Sequence, residues 1–214
     1  MTLSIFLNSL LFLGFFISTD ILKNKFNLEV DNSRKITHIL CTLGIITFPY
    51  TMNNKEIYII CTLFIIITFL TKKIGMFKSI HSVKRKTFGA EVMPLGVLLS
   101  AHQFLPADKF IFVYGTLICG FSDTMAEIIG RKYNFRPIYI FNQKKTLGGS
   151  IAFFLTTLII TYFFLIFTNN DIITFKILVL SIFLTFLELI QPFGLDNITI
   201  PVFSDLVLNY LLLI

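Results

Sequence analysis

Runs of apolar residues alternate with short polar connections along the whole chain. A helix needs about 20 residues to cross the hydrocarbon core of a bilayer, and several of these runs reach that length. The runs cover residues 3–22, 36–52, 57–71, 91–105, 110–130, 147–167, 172–190 and 198–214. This pattern predicts an all-α fold in which residues 1–214 form a single integral-membrane domain, a polytopic bundle of about eight transmembrane helices. The runs at 57–71 and 91–105 are short for a bilayer, and loss of the second of them would leave seven spans.

The basic residues test this arrangement, because Lys and Arg concentrate in cytoplasmic loops. Fifteen of the 18 basic residues fall in the first, third and fifth connections between runs. They are Lys23, Lys25, Arg34 and Lys35, then Lys72, Lys73, Lys78, Lys84, Arg85 and Lys86, then Arg131, Lys132, Arg136, Lys144 and Lys145. Loss of the fourth run as a span would place these basic connections on different sides, so this pattern favours keeping that span. The sequence therefore predicts a multi-pass protein with a cytoplasmic active face and both termini on the opposite side.

The composition excludes an ordinary soluble domain. The 214 residues are 55% hydrophobic, with 26 Phe, no Trp and a mean hydropathy of +0.82, values typical of membrane proteins. Cys41, Cys61 and Cys119 lie in apolar runs without CxxC or Cys/His spacing, which disfavours disulfide and zinc roles. No basic residue precedes Lys23, so we expect the first run to be retained as a span rather than removed as a signal peptide. The net charge of +6 marks membrane topology, so no nucleic-acid partner is expected.

Two carboxylates lie near the end of the fifth apolar run. Asp123 and Glu127 are four residues apart, so on a helix they share one face with Gly130, and Arg131 follows Glu127 by four. Stacked carboxylates repel each other unless a cation lies beside them, and their oxygens suit Mg²⁺. Charges within an apolar run are costly and usually functional, which favours a metal site over a solvated helix end.

A basic, glycine-containing segment opens the sixth run. It reads Gln143-Lys144-Lys145-Thr146-Leu147-Gly148-Gly149-Ser150. Backbone N–H groups at the beginning of a helix and Lys ammonium groups both favour phosphate. Carboxylates for a metal, followed by Lys and Gly for phosphates, predict a nucleoside triphosphate bound at the membrane surface. A Lys pair in a cytoplasmic loop is also a plain topology signal, so this prediction depends on both halves together.

Further polar groups reach the same predicted face. They are Arg34, Lys35 and His38, which open the second run, Glu91 at the start of the fourth, and Asp196 and Asn197 before the eighth. His38 and Glu91 each have a structural alternative. A His can bond a neighbouring helix, and an acid in the first turn is favoured by the helix dipole.

The segments FSDTMAEIIGRKYNF and KKTLGGSIAFF resemble the CTP-dependent polyprenol kinases, the group that includes phytol kinase and dolichol kinase and is similar to the phosphatidate cytidylyltransferases. The matching positions are Asp123, Ala126, Gly130, Lys144, Lys145, Thr146, Gly149 and Ser150. Arg34-Lys35 with His38, GAEVMPLG at 89–96 and DNITIP at 196–201 also resemble the kinase branch. The chain departs from the pattern at Ser122, where many members have Gly, at Gly148, where many have Glu, and at Ala90, which separates Gly89 from Glu91.

The resemblance implies that a membrane-embedded isoprenoid alcohol attacks the γ-phosphate of CTP, which yields a prenyl monophosphate and CDP. It implies Mg²⁺ held by Asp123 with Glu127 or Asp196, and phosphate charge balanced by Lys144 and Lys145. Glu91 or His38 would orient or deprotonate the alcohol. The expected nucleotide contacts are Arg34, Lys35, Arg131, Thr146, Gly149, Ser150 and Asn197. The expected partners are a lipid alcohol, a nucleoside triphosphate and the bilayer.

Two other functions use the same groups. A phosphatidate cytidylyltransferase would join CMP to a lipid phosphate and release pyrophosphate, with Arg34, Lys35 or Arg85 as extra cations for the anionic lipid. A transporter would use Asp123 and Glu127 as an ion site, although no inverted repeat or ionisable pair near the membrane midplane is visible in the sequence. The DNITIP segment and the small size of the chain favour the kinase.

Overall fold

The computed structural model describes residues 2–77, 87–141, 143–171 and 173–212. Four predicted residues lie outside the described residues, namely Lys78, Lys84, Arg85 and Lys86. The sequence predicts that all four belong to a cytoplasmic connection and that Arg85 is a possible cation for an anionic lipid. The helices are α1 (Leu3–Phe26), α2 (Val30–Ile46), α3 (Phe48–Thr51), α4 (Asn54–Ile74), α5 (Gly89–Phe104), α6 (Lys109–Leu117), α7 (Asp123–Tyr133), α8 (Leu147–Phe167), α9 (Thr174–Ile190) and α10 (Asp196–Val207). The predicted all-α class is confirmed, with one small β-hairpin added.

Several predicted boundaries change. The predicted second span, 36–52, is broken, because α2 ends at Ile46 and the short α3 begins at Phe48 with Pro49 in its first turn. The predicted third span is longer than 57–71. Asn53 and Glu56 form a capping box that begins α4 at Asn54, and Gly75 ends the helix with a left-handed φ of 73°, a conformation that glycine adopts without strain.

The fifth run is continuous but irregular. Helices α6 and α7 join through one π-helical turn, Ile118–Ser122. Single π turns inside α-helices occur frequently at functional sites. Here the turn lies directly before Asp123, the first residue of α7.

Within the described residues, four helical segments are long and apolar enough to cross a membrane. They are Leu3–Phe26, Asn54–Ile74, Lys109–Tyr133 and Leu147–Phe167. The segments α2, α5 and α9 have 17, 16 and 17 residues, which is short for a bilayer. Eight spans therefore stay a prediction, as does the orientation.

The helical segments nevertheless run alternately between two ends of the molecule. At one end, the start of α2 meets α7 through Lys35 and Asp123, and the end of α4 meets the start of α5 through Lys72 and Glu91. At the other end, Lys109 lies 4.7 Å from the ring of Tyr50. The rings of Phe110 and Phe167 are 6.2 Å apart at the same end. The described flanks of the first, third and fifth connections thus lie at the first end, and the cytoplasmic orientation of this end stays a prediction.

The connection between α7 and α8 contains two strands that the sequence does not predict. Strand β1 (Pro137–Ile140) pairs antiparallel with β2 (Gln143–Thr146), with Tyr139 opposite Lys144 and Ile138 opposite Lys145. Side chains alternate between the two faces of a strand. Accordingly, Lys144 is exposed and Lys145 is half-buried.

The buried side chains form two apolar clusters. One cluster joins α1, α2, α4 and α5 around Phe12, Ile45, Ile60 and Val97. The other joins α6, α8, α9 and α10 and includes Tyr114, Phe153, Leu180, Leu184 and Ile200. The outward faces carry large exposed apolar side chains such as Phe163, Ile182 and Phe186, as expected for helices surrounded by lipid.

Candidate active site

The residues predicted from the two motifs line one polar cleft between α7, β2, α8 and the ends of α9 and α10. The polar cleft has a volume of about 390 Å³. It is lined by Asp123, Ala126, Glu127, Gly130, Arg131, Asn134, Lys144, Lys145, Thr146, Gly149, Ser150, Glu188 and Asp196. The structure therefore brings together nine of the predicted site residues, from segments as far apart as Asp123 and Asp196.

Close contact between α7 and α8 builds one wall of the cleft. A Cβ atom at Gly149 would lie 2.8 Å from the carbonyl oxygen of Ala126, and one at Gly130 would lie 2.7 Å from Oγ1 of Thr146. Only glycine allows this approach. Thr146 caps α8 by accepting a hydrogen bond from the N–H of Gly149 at 3.0 Å, which fixes the hydroxyl at the cleft.

The backbone N–H groups at the beginning of α8 are already used. Those of Leu147 and Gly148 donate to the carbonyl oxygens of Arg136 and Phe135. That of Gly149 donates to Thr146. The sequence predicts that these donors bind phosphate, but the structure commits them to the hairpin and the cap. Phosphate contacts in this cleft therefore have to come from side chains.

Lys35 holds the two carboxylates of α7. Its ammonium nitrogen lies 2.5 Å from Asp123 Oδ2 and 3.0 Å from Glu127 Oε2. Only 6% of the Lys35 side chain is exposed, against 12% for Asp123 and 11% for Glu127. One cation between two stacked carboxylates removes their mutual repulsion. The cation in this structure is the side chain of Lys35. The sequence predicts instead that Lys35 contacts the nucleotide.

Arg131 lies at the outer edge of the cleft. Its guanidinium contacts Glu29 at 2.8 Å, Asp31 at 3.1 Å and Glu127 at 3.7 Å. Its side chain is 35% exposed. Its pairs with Glu29 and Asp31 are exposed, and exposed ion pairs contribute little stability, so the guanidinium is available to an anionic group in the cleft.

A second ion-pair group forms the opposite wall. Lys145 donates to the carboxylate and to the main-chain carbonyl of Glu188, the latter at 2.9 Å, and its nitrogen lies 4.0 Å from Asp196 Oδ2. Burial alone would lower the pKa of Lys145. The carboxylates of Glu188 and Asp196 outweigh burial and raise this pKa above its ordinary value of 10.5, so the ammonium group is charged at neutral pH.

Glu188 is a residue of the cleft that is not among those predicted from the sequence. It is 4% exposed and lies near the end of α9. The signal was available, because Glu188 is a carboxylate at the polar end of an apolar run, which is the feature that identifies Asp123.

The remaining predicted residues lie beside the cleft. His38 Nε2 is 3.1 Å from the carbonyl oxygen of Cys119 and 3.9 Å from Asp123 Oδ2. Since a carbonyl only accepts, this nitrogen carries the proton. Asn197 donates to the carbonyl of Gly89 at 2.9 Å. Arg34 approaches Gly89 as well, since a Cβ atom there would lie 2.6 Å from its guanidinium.

Glu91 lies apart from the cleft. It is 2% exposed, and its carboxylate is 2.8 Å from the ammonium of Lys72 at the end of α4. Lys72 also donates to the carbonyl of Thr87 at 3.2 Å and lies over the ring of Phe88. These contacts connect α4 to α5 and place the carboxylate among structural partners.

An apolar cavity adjoins the polar cleft through His38. The apolar cavity has a volume of about 80 Å³. It is lined by Phe12, Phe16, Arg34, Thr37, His38, Cys41, Ile45, Phe48, Cys61, Phe64, Thr68, Gly89, Ala90, Met93, Pro94, Val97 and Asn197. Arg34, His38 and Asn197 thus lie at an apolar cavity, whereas Asp123 and Lys145 lie at the polar cleft.

Comparison with known proteins finds a distant relative. The chain is 25% identical over 205 residues to the phytol kinase of Synechocystis sp., and the match covers 92% of this chain and 86% of that protein. No family model and no solved structure matches. The similarity over nearly the whole length supports a family like the polyprenol and phytol kinases, and hence a kinase-type transferase associated with membranes.

Proposed function

We propose that the chain is a CTP-dependent kinase that transfers the γ-phosphate of the nucleotide to a membrane-embedded isoprenoid alcohol. One observation supports this most strongly. A charged cleft that suits a triphosphate and an apolar cavity that suits a lipid chain meet at His38, which lies 3.9 Å from Asp123. Phosphoryl transfer depends mainly on positioning and on neutralising charge, and the two compartments supply both.

The cations of the polar cleft would bind the phosphates. Lys144 is exposed at the cleft, Lys145 is held at its wall, and the pairs of Arg131 with Glu29 and Asp31 are exposed. The hydroxyl groups of Thr146 and Ser150 lie in the same cleft. These side chains would replace the backbone donors that α8 does not offer.

The carboxylates fit a Mg²⁺ ion that arrives with the nucleotide. Among the described residues, no three His, Cys, Asp or Glu side chains converge as a metal-binding group. Mg²⁺ is commonly bound by one or two carboxylates plus substrate phosphates rather than by a cage of protein ligands. Asp123 and Asp196, which both line the cleft, would supply those carboxylates, and the ion would neutralise charge on the phosphates. Glu127 would keep its role as partner of Lys35 and Arg131.

His38 is the proposed base. As the alcohol oxygen bonds to the γ-phosphorus, the bond from that phosphorus to the bridging oxygen of CDP breaks, and the hydroxyl proton passes to the imidazole. His38 lines the apolar cavity and lies near Asp123, whereas Glu91 pairs with Lys72. This position favours His38 over Glu91, the two candidates that the sequence leaves open.

The test is transfer of label from CTP by purified protein in detergent. CTP labelled at the γ or, separately, the α position is supplied with phytol, farnesol, dolichol or phosphatidic acid. We expect γ-label on an alcohol, with loss of transfer in Asp123→Asn and no change in Asp171→Asn, an exposed acid outside the cleft. Transfer of α-label to phosphatidic acid would instead identify a cytidylyltransferase, and no transfer to any lipid would refute both reactions.

A further inference from the structure

The hairpin formed by β1 and β2 presents aromatic side chains outside the apolar helices. Tyr139 and Phe141 are 70% and 67% exposed, and Tyr133 and Phe135, which lead into the hairpin, are 62% and 50% exposed. Along β1 exposed and half-buried positions alternate, and Tyr139 lies at an exposed one. A sheet face in contact with water is ordinarily polar. Exposed rings grouped in this way mark a surface that contacts another molecule or a membrane.

The backbone keeps Phe141 near the tip of the hairpin. Phe141 follows Ile140, whose partner in the ladder is Gln143, and it has a φ of 48°. Hairpin turns with positive φ favour Asn, Asp and Gly, and a bulky side chain is strained there. Strained backbone is found mainly at functional sites. The fold therefore retains a large ring at a position where a small polar residue would cost less.

Cations without acidic partners accompany these rings. The chain has no Asp or Glu from residue 128 to residue 170, and it has five Lys and Arg in the same stretch. Arg131 and Lys145 use their charges in ion pairs at the cleft. Within the part of the chain that the structure describes, Lys132 and Arg136 form no ion pair. Their cationic groups lie 5.3 Å and 5.7 Å from the centres of the aromatic rings next to them in the sequence. Clustered rings and unpaired cations suit a lipid surface with anionic headgroups.

The length of the hairpin limits where these rings can lie. The helical segments that flank it end at Tyr133 and begin at Leu147, and both are long and apolar enough to cross a membrane. Strands of four residues extend about 13 Å, whereas the headgroup layer is about 5–8 Å thick on each side of the hydrocarbon core. An upright hairpin would hold Phe141 in water beyond the headgroups. A hairpin that lies along the surface places its rings within the headgroup layer, where Tyr and Trp are enriched in membrane proteins.

We infer that the β1–β2 hairpin lies in the headgroup layer of the membrane, with Tyr139 and Phe141 inserted among the lipids and Lys132 and Arg136 bound to anionic headgroups. This inference is independent of the reaction proposed above. Strand β2 also carries Lys145, which lines the polar cleft. The lipid surface therefore supports one wall of that cleft.

The depth of the hairpin can be measured by fluorescence, because the chain has no Trp. Tyr139→Trp and Phe141→Trp each place a single fluorophore on the hairpin. Leu155→Trp places one near the middle of α8, at a position that is 51% exposed, as the control for the hydrocarbon core. The full-length proteins are reconstituted in vesicles of phosphatidylcholine brominated near the glycerol or near the end of the acyl chain. Iodide on both sides of the bilayer serves as the water-soluble quencher.

We expect bromine near the glycerol to quench both hairpin fluorophores more strongly than bromine near the chain end, and iodide to quench them weakly. Leu155→Trp should show the opposite order of the two bromines. Strong quenching by iodide without an effect of bromine would place the hairpin in water and overturn the inference. Quenching of Tyr139→Trp by CTP without an effect of bromine would assign the ring to the nucleotide and would overturn it as well. Quenching as expected without any transfer of label would uphold the inference while the proposed reaction fails.

The anionic headgroups are tested in vesicles of phosphatidylcholine that contain a minor fraction of phosphatidylglycerol. Only one of the two lipids is brominated at a time, so the ratio of the quenching at Tyr139→Trp gives their relative affinity. We expect phosphatidylglycerol to bind about fivefold more tightly, which is what one cation near an anionic surface is worth.

Charge variants in the Tyr139→Trp background show which cations are responsible. Lys132→Gln combined with Arg136→Gln should reduce the ratio to about one, whereas Lys132→Arg combined with Arg136→Lys should keep it because the charge is preserved. Lys55→Gln, at an exposed position near the other end, should also leave the ratio unchanged. A ratio of one before the charges are changed, or a ratio that survives their removal, would overturn the assignment of Lys132 and Arg136 to anionic headgroups.

Discussion

Lys35 is the residue on which the electrostatics of α7 depend. It contacts both Asp123 and Glu127, and all three side chains are largely buried. Removing one partner of a buried ion pair leaves an uncompensated charge, which costs more than the pair itself contributes. The second helix therefore supplies the cation that offsets the charge of both carboxylates in the protein interior.

A double-mutant cycle tests this dependence. Lys35→Met should lower the free energy of unfolding by about 3 kcal/mol, because it leaves two carboxylates without their buried cation. Lys35→Met combined with Asp123→Asn should lose less than Lys35→Met alone, since one of the two charges is gone. Thermal unfolding in detergent measures both, with the exposed Lys25→Met as the control. Additive losses would show that Lys35 and Asp123 do not interact.

For individual residues, the sequence predicts much of the lining of the cleft but not which side chains form ion pairs with each other. Asp123, Lys144 and Lys145 are identifiable because charged groups at the ends of apolar runs are costly. The partner of Asp123 lies 88 residues away along the chain, a separation that no local spacing encodes. Glu188 carries the same local signal as Asp123 but no neighbouring motif, and so it is found only through its contact with Lys145.

At the scale of secondary structure, the packing of α7 against α8 positions the candidate active site. Gly149 permits the close approach to Ala126, while a Cβ atom on the adjacent Gly148 would meet only Phe135 Cβ, at 3.4 Å. The two glycines are neighbours in the sequence and alike in helix propensity, but only one lies in the contact. Sequence spacing predicts that a glycine pair precedes α8, and it does not tell which of the two is required.

Matched alanine substitutions separate these roles. Gly149→Ala should destabilise the protein by about 1–3 kcal/mol, because its methyl group meets backbone that has to move. It should also lower phosphate transfer, since the wall of the cleft shifts. Gly148→Ala should be neutral or slightly stabilising, because alanine favours the helix where space allows. The unfolding midpoint and the rate of label transfer measure both, and equal effects of the two substitutions would exclude the tight contact.

Other elements escape prediction for physical reasons. Strands β1 and β2 have four residues each and join two helices, and such short segments carry no clear period. The π turn at Ile118–Ser122 shifts the helical register before Asp123, and a hydrophobic period of 3.6 residues cannot show such a turn.

A buried carboxylate in α10 is also not predicted. Asp205 is fully buried and accepts hydrogen bonds from Ser100 and from the N–H of Gly115. Both carboxylate oxygens are thus used in packing α10 against α5 and α6.

For the whole molecule, the distribution of charge matches the two-ended architecture. At one end, the ammonium of Lys109 lies over the ring of Tyr50. The ion pairs of Lys35, Arg131 and Lys145 lie at the opposite end. In the proposed reaction the nucleotide would reach the polar cleft from the end with these ion pairs, and the lipid alcohol would come from the bilayer. The proposed reaction therefore requires that this end face the compartment that contains the nucleotide.

Cysteine labelling measures this orientation. The three native cysteines are buried and can be replaced by Ala. A single cysteine is then introduced near the site, at Lys25 or Lys132, or near the other end, at Lys55 or Asp171. All four positions are exposed. If the basic connections are cytoplasmic, an impermeant maleimide added to intact bacterial cells should label Lys55→Cys and Asp171→Cys but should label Lys25→Cys and Lys132→Cys only after lysis. The reverse pattern would place the cleft outside the cell, away from nucleotides, and would refute the proposed reaction. Two positions lie on the same side of the membrane only if an even number of spans separates them. Labelling of Lys25→Cys and Lys132→Cys from different sides would therefore show that fewer than eight segments cross the membrane.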